Sequence, residues 1–346
     1  MRNAVLAWPF AALVFACSSS GRASIEGNDP DAAVESGNPG GFVTDKDGGG
    51  APGATDAGGQ TKTTIYANTD DALYSLDPSS NAVTLIGSFT GGGGGASVTD
   101  CAVNAAGDLY VNTATSIFRA ALPASGKGPV ALTKLADIAG ASANKKFYAL
   151  AFAPAGVLGA GEGLIGGDAD GVLWSIDPVT GAAHELGSFG PDKNGATFAL
   201  SGDLVFYVGT DGVAKGLATI RSCKGVSCVR TDDYLAGIDM NALAAAFTSG
   251  TPATTLLSGI YGGSAATKGP GIGRGDLFGL GAWEGKVFGF QRSSANNGKP
   301  ALIAIDATSG TGSMLSDGFS FTNGWSGACV TTKVTITVPI PPSAPH

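Results

Sequence analysis

The chain has 346 residues, 14% of them charged and 56 of them glycine, with a formal net charge of −8. An average soluble domain carries about 25% charged residues and about 7% glycine, so this composition suits a body of many short strands and tight turns. The acidic balance and the lack of clustered Lys and Arg exclude nucleic acid as a partner, because phosphate binding needs such clusters.

Met1-Arg2-Asn3 leads into an apolar run from Ala4 to Ala16, broken only by Trp8-Pro9. One cation ahead of a short apolar stretch is the pattern of a secretory signal, and the stretch is too short to cross a bilayer as a helix. Val14-Phe15-Ala16-Cys17 resembles the bacterial lipobox. The resemblance implies a signal peptide over 1–16 and a lipidated Cys17 as the first mature residue. Its acyl chains would hold the protein on a membrane, at about 0.8 kcal/mol per buried methylene. In that family Ser18 is compatible with sorting to the outer membrane or cell surface. Residues 17–62 then offer almost nothing for a core, as in Asp47-Gly48-Gly49-Gly50, and read as a flexible tether that cannot offset its chain entropy.

From residue 63 to 338 one phrase returns: Leu73-Tyr74-Ser75-Leu76-Asp77-Pro78, Leu173-Trp174-Ser175-Ile176-Asp177-Pro178, Leu235-Ala236-Gly237-Ile238-Asp239 and Leu302-Ile303-Ala304-Ile305-Asp306, with a degenerate copy at Ile117-Phe118-Arg119-Ala120-Ala121. Each phrase alternates sides like a strand, and four of the five end at an Asp that opens turn chemistry. A second apolar stretch follows each turn, as in Val83 to Phe89, Ala183 to Phe189 and Thr254 to Ile260. Two strand-like stretches precede each phrase. Examples are Cys101 to Asn104 with Asp108 to Asn112, Tyr148 to Phe152 with Gly163 to Gly166, Phe198 to Leu200 with Leu204 to Val208, and Phe278 to Leu280 with Lys286 to Phe290. Each repeat is therefore predicted to be four antiparallel strands.

The phrases begin at 73, 117, 173, 235 and 302, so the repeat is longer and less even than a solenoid's and matches a propeller blade. The phrase with its Asp-Pro-x-Thr-Gly turn resembles the repeats of quinoprotein-like and YVTN-type β-propellers over most of 63–338. It implies an all-β propeller fold, and counting the repeats gives about five four-stranded blades, or six if Lys333 to Val338 adds a strand. Only one strand, Thr64 to Asn68, precedes the first phrase, and its missing partner is supplied by Trp325 to Val330. Pairing the N- and C-terminal strands would close the ring and remove exposed sheet edges. Residues 339–346 form a Pro-rich tail.

Besides Cys17 the chain has Cys101, Cys223, Cys228 and Cys329, which in an exported protein imply two disulfides with three connectivities. Ring closure would bring Cys101 beside Cys329. Cys223 and Cys228, which flank a short loop in the fourth repeat, would then pair with each other.

Histidine is limited to His184 and the terminal His346, which removes support for a Ser-His-Asp site, a His-ligated zinc or haem attachment. Gly161-Glu162-Gly163-Leu164-Ile165-Gly166 spells a dinucleotide fingerprint but runs into a turn where a helix is needed. Asp168-Ala169-Asp170-Gly171 opens like a calcium loop but has Val179 where the closing Glu belongs. Arg274-Gly275-Asp276 reads as loop chemistry. The phrase-ending Asp77, Asp177, Asp239 and Asp306 recur in a structural role, capping the turns that follow them.

The candidate ligand face is the set of loops joining second to third strands, with Asn68, Asp70, Asp71, Asn112, Asp168, Asp170 and Asp211, since loops on a rigid scaffold often bind ligand. No metal site and no cofactor is predicted, calcium being the one ion those loops suggest. The leading expectation is a surface-tethered, non-enzymatic binding lipoprotein whose partner is a protein or glycan. The rivals are a propeller enzyme, a lyase or quinone-dependent dehydrogenase using carboxylates and a cation, and a structural envelope protein.

Overall fold

The structure is a computed structural model that describes residues 64–92, 97–140, 145–191, 195–225, 227–262, 271–292, 296, 298–321, 324–333 and 335–336. The signal peptide, Cys17, the tether and the Pro-rich tail lie outside the described residues.

The described residues of the body are all β apart from one helix. In chain order the first strands are β1 (Ile65–Asn68), β2 (Ala72–Asp77), β3 (Ala82–Gly91), β4 (Asp100–Val103), β5 (Leu109–Asn112), β6 (Ser116–Ala121) and β7 (Val130–Asp137). They are followed by β8 (Phe147–Ala153), β9 (Gly163–Asp168), β10 (Val172–Ile176), β11 (Ala183–Ser188), β12 (Thr197–Gly209), β13 (Ala214–Lys224), β14 (Ser227–Cys228) and β15 (Tyr234–Ile238). Then come α1 (Met240–Ser249), β16 (Leu257–Ile260), β17 (Leu277–Trp283), β18 (Lys286–Gln291), β19 (Ala301–Ile305), β20 (Gly312–Ser316), β21 (Gly327–Cys329) and β22 (Thr335–Ile336).

These strands form antiparallel meanders in the spatial orders β21-β1-β2-β3, β4-β5-β6-β7, β8-β9-β10-β11, β12-β13-β15-β16 and β17-β18-β19-β20. The first two meanders join into one sheet through parallel pairing of their last strands, β3 and β7. The recurring phrase is the third strand each time. Both faces of that strand are packed: Leu73 and Leu76, Leu173 and Ile176, and Leu302 and Ile305 stand three residues apart, on opposite sides, and all are buried, each worth roughly 1.5–3 kcal/mol relative to exposure. A register shift falls after the first residue of the phrase at Leu73, Ile117, Leu173 and Leu302, where it pairs with the fourth strand. Such bulges sharpen the right-handed twist, here at the same place in four meanders. At one of them Gly187 has φ 131°, and a Cβ there would strike the carbonyl of Ala253.

The fourth repeat departs from the sequence reading. Phe198 to Leu200 and Leu204 to Val208 are halves of one strand, β12, and Ser201-Gly202-Asp203 is a bulge within it. Ser, Gly and Asp together read locally as a turn. Both halves pair with the single long strand β13, and that shared partner keeps β12 continuous. The second strand is thus β13, in a stretch the repeat spacing had left as an insertion. Asp239 also differs from the other phrase-ending aspartates, because it caps α1, accepting N–H bonds from Asn241 and Ala242 at 3.0 Å each. Gly250 ends the helix in the left-handed region at φ 68°.

Near the C-terminus, β21 pairs antiparallel with β1, and Cys329 on β21 is bonded to Cys101 on β4 with Cα atoms 5.5 Å apart. Cys223 is bonded to Cys228 across the β13–β14 turn. Trp325, fully buried just before β21, meets Tyr74, Phe290, Phe319 and Phe321 edge-on at ring separations of 4.6–5.3 Å. The stretch that left a sixth blade open is described at Thr335 and Ile336, which form β22 and add to the fourth repeat's sheet, pairing parallel with Val208 and Gly209 at the end of β12.

Candidate functional site

In a four-strand meander the loop between the second and third strands lies at the opposite end from the turns between first and second and between third and fourth. The second-to-third loops here are 69–71, 113–115, 169–171, 225–233 and 292–300. The end they occupy is the candidate face.

The seven residues read from the sequence do not act alike there. Asn68 and Asn112, at the ends of β1 and β5, are fully buried, and their side-chain amides donate to the carbonyls of Thr69 and of Thr113 and Phe147. Asp168 is buried as well. Its carboxylate accepts N–H bonds from Asp170, Val172 and the Trp174 indole at 2.9–3.2 Å and meets Lys145 Nζ at 2.9 Å. Asp170 is exposed and meets the same ammonium at 2.9 Å. Burial pulls Lys145 down, but its bonds to Asp170 and Asp168 outweigh that and hold the ammonium above its ordinary value. Asp70 is paired with Arg292 at 3.2 Å and also accepts from the Ser326 hydroxyl. Arg292 in turn lies 5.3 Å from the ring centre of half-buried Phe278, a cation–π arrangement. Asp71 is exposed and accepts from the Thr69 hydroxyl at 2.8 Å.

Asp211 belongs to the other end. Because β12 is one strand, residues 210–213 join a first strand to a second. There Asp211 is ion-paired to Lys215 at 3.0 Å, and that bond holds its carboxyl below the usual range. The fourth repeat's true contribution to the candidate face is the loop between β13 and β15, with Arg230, Asp232 and Asp233. Sequence reasoning missed it because it took the second half of β12 as the second strand and left β13 unassigned, so residues 209–212 stood in for the loop before β15.

Behind that loop is a buried charge network. Arg221 on β13 contacts Asp276 at 3.0 Å, the Ser201 carbonyl at 3.1 Å and Asp233 at 3.6 Å, while exposed Arg230 reaches Asp276 at 3.2 Å. Ser201 donates to Asp233, as does the N–H of Leu277 at 2.9 Å. Burial pushes Asp233 up to about 7, with Arg221 pulling the other way. Asp276 holds φ 53°, an unusual conformation for a non-glycine residue that the two arginines help to fix. The Arg274-Gly275-Asp276 tripeptide therefore has its carboxylate buried.

The phrase-ending aspartates cap turns. Asp177 accepts from Val179 and Thr180, and Asp306 from Thr308 and Ser309. The bonds from Thr180 and Val179, and from Ser309 and Thr308, hold these two carboxyls below the usual range. His184 is an exposed residue of β11, and Gly163 to Gly166 lie in strand β9. Among the described residues no three His, Cys, Asp or Glu side chains are grouped as metal ligands.

No family model and no curated protein matches the sequence. Among solved structures, the chain is similar to a protein of unknown function from Bacteroides caccae at 10% identity and TM-score 0.37, covering 78% of this chain and 98% of that one. It is also similar to virginiamycin B lyase from Staphylococcus aureus, at 10% identity and TM-score 0.35 over 74% of this chain and 67% of that one. The Dos1 propeller is a third, at 14% identity and TM-score 0.33 over 75% and 56%.

Proposed function

We propose that the meanders are five blades around one axis, closed where β21 pairs with β1, and that the ring is a non-enzymatic binding protein presenting the face of the second-to-third loops. The pairing of β21 with β1 and the Cys101–Cys329 bond support closure. The path of the chain after β21 supports the choice of face. Thr331 bonds the Asn104 carbonyl, Thr332 bonds Glu162, and β22 pairs with the end of β12, so this segment runs across the end opposite the candidate face.

The observation that carries the binding reading is the paired state of that face. Arg292 with Asp70, and Lys145 with Asp168 and Asp170, set fixed donors beside fixed acceptors. Such a surface fits a ligand rich in both donors and acceptors, a glycan or the backbone and polar side chains of a protein. The Cys17 lipobox supports a tether to the outer membrane or cell surface, and two disulfides suit an oxidising compartment.

The full-length chain in detergent is tested against glycan and peptide arrays. Arg292→Ala and Lys145→Ala each weaken binding about tenfold, the effect of losing one charged hydrogen bond. Asp211→Ala, at the other end, leaves it unchanged. Equal loss from Asp211→Ala, or turnover of the bound ligand, contradicts the reading.

A further inference from the structure

The first strands of the meanders meet at two carboxyl groups. Asp100 opens β4 and Asp203 sits in the bulge of β12, both fully buried and hydrogen-bonded to each other. Asp100 accepts N–H bonds from Cys101 at 2.7 Å and from Leu150 of β8 at 2.6 Å. Asp203 accepts from Leu204 at 2.5 Å, Leu280 of β17 at 2.6 Å and Ala328 of β21 at 3.2 Å. The pair therefore touches β4, β8, β12, β17 and β21. Gly327 packs so closely that a Cβ there would collide with the Asp100 carboxyl.

Two carboxylates at hydrogen-bond distance in a site closed to water cannot both carry charge without a cation; one proton must lie between them. Each packed element offers the pair only backbone N–H groups, and no Lys or Arg among the described residues pairs with either carboxyl. On the adjacent strand β13, Thr219 donates to the Leu277 carbonyl and accepts from the Asp203 N–H, and Arg221 is committed to Asp276, Ser201 and Asp233.

We propose that Asp100 and Asp203 form a proton-sharing clasp that ties together the first strands of the meanders, tight in acid and at neutrality and released when alkali removes the shared proton. Burial holds both carboxyls above the ordinary range, and the charge of Asp203 pushes Asp100 further. A group that binds its proton more tightly when folded gives stability that is complete below the unfolded value near 4. That stability is lost as pH rises through the folded value. The clasp titrates as a pair, and either carboxyl can be the one that carries the proton.

The test combines infrared spectroscopy and thermal unfolding of the full chain. The wild-type protein shows a protonated-carboxyl band at pH 7 that persists in Asp233→Asn, which removes the other carboxyl pushed up to about 7; the half-buried Asp232 is raised too and is removed in the same way by Asp232→Asn. Between pH 6 and 9 the band fades and the melting temperature falls by about 5 °C. Asp203→Asn, which keeps an acceptor for β17 and β21 and adds a donor toward Asp100, loses the band and most of the slope. If the Asp233→Asn protein lacks the band, or if Asp203→Asn keeps the wild-type slope, the clasp is wrong. The first of these results is read without any change to the pair, so it stands even where Asp203→Asn fails to fold.

Discussion

Among the described residues no cation lies beside the buried Asp100 and Asp203, whereas Asp233 and Asp276 are buried against Arg221 and Arg230. The two clusters neutralise carboxylates in different ways, and the space available explains which is used. Where the first strands converge, Gly327 packs so tightly that even a Cβ there would collide with the Asp100 carboxyl, so that position has no room for a cationic side chain. A proton takes no room. Beside β13 the sheet end opens toward solvent, Arg230 is 61% exposed, and a guanidinium can lie between two carboxylates. The arginine cluster also leaves more geometry to chance, with Arg221 Nε and Asp233 Oδ1 lacking a hydrogen bond among the described residues and held only by an ion pair at 3.6 Å.

The comparison can be sharpened by removing what holds each cluster. Around the proton-sharing pair, Cys101 directly follows Asp100 and Cys329 follows Ala328, so their bond staples the same junction across 228 residues of sequence. Chain-entropy reasoning assigns a loop of that length about 5 kcal/mol, against about 2 kcal/mol for the short Cys223–Cys228 loop. Cys329→Ala should therefore lower unfolding stability in denaturant by about 5 kcal/mol and expose the C-terminal segment to protease. A loss no greater than that of Cys228→Ala would mean that the junction is held without the bond.

For the arginine cluster, Arg221→Leu keeps bulk but leaves two carboxylates buried without their shared cation. Breaking a buried pair in this way costs about 3–5 kcal/mol. Denaturant unfolding near pH 8 measures the loss, and lowering the pH should restore part of it, because Asp233 then takes up a proton in the cation's place. A cost under about 1 kcal/mol would show that Arg230 alone suffices.

The exposed aspartates give the smallest effect. Asp306→Ala removes an acceptor for the N–H groups of Thr308 and Ser309 in a solvated turn, and the expected cost is about 1 kcal/mol. Thermal unfolding of that variant, set beside Arg221→Leu, separates a carboxylate that water can replace from carboxylates that it cannot reach.

Much of the fold was legible because its signals are local. Leu73, Leu173 and Leu302 each begin an alternating stretch that ends at a turn-capping Asp, and such a pattern depends only on neighbours in sequence. The site was less legible. Asp70 and Asp168 were found as loop residues, but nothing near them in sequence names Arg292 or Lys145 as the cations that would occupy them. Asp211 was assigned to the wrong end because the break at Ser201-Gly202-Asp203 looks like a turn until β13 is laid against both halves of β12.

The sequence by itself determined the all-β class, the four-strand repeat and the capped turns, since each follows from side-chain alternation and from hydrogen bonds reaching two or three residues along the chain. Only the tertiary structure decided which strands pair across the fourth repeat, which carboxylates find a cation and which must share a proton. Those outcomes depend on distances between segments tens to hundreds of residues apart, and on how much room their approach leaves for a side chain. Asp100 and Asp203 have no sequence pattern that sets them apart from the turn aspartates. Burial between converging strands distinguishes them.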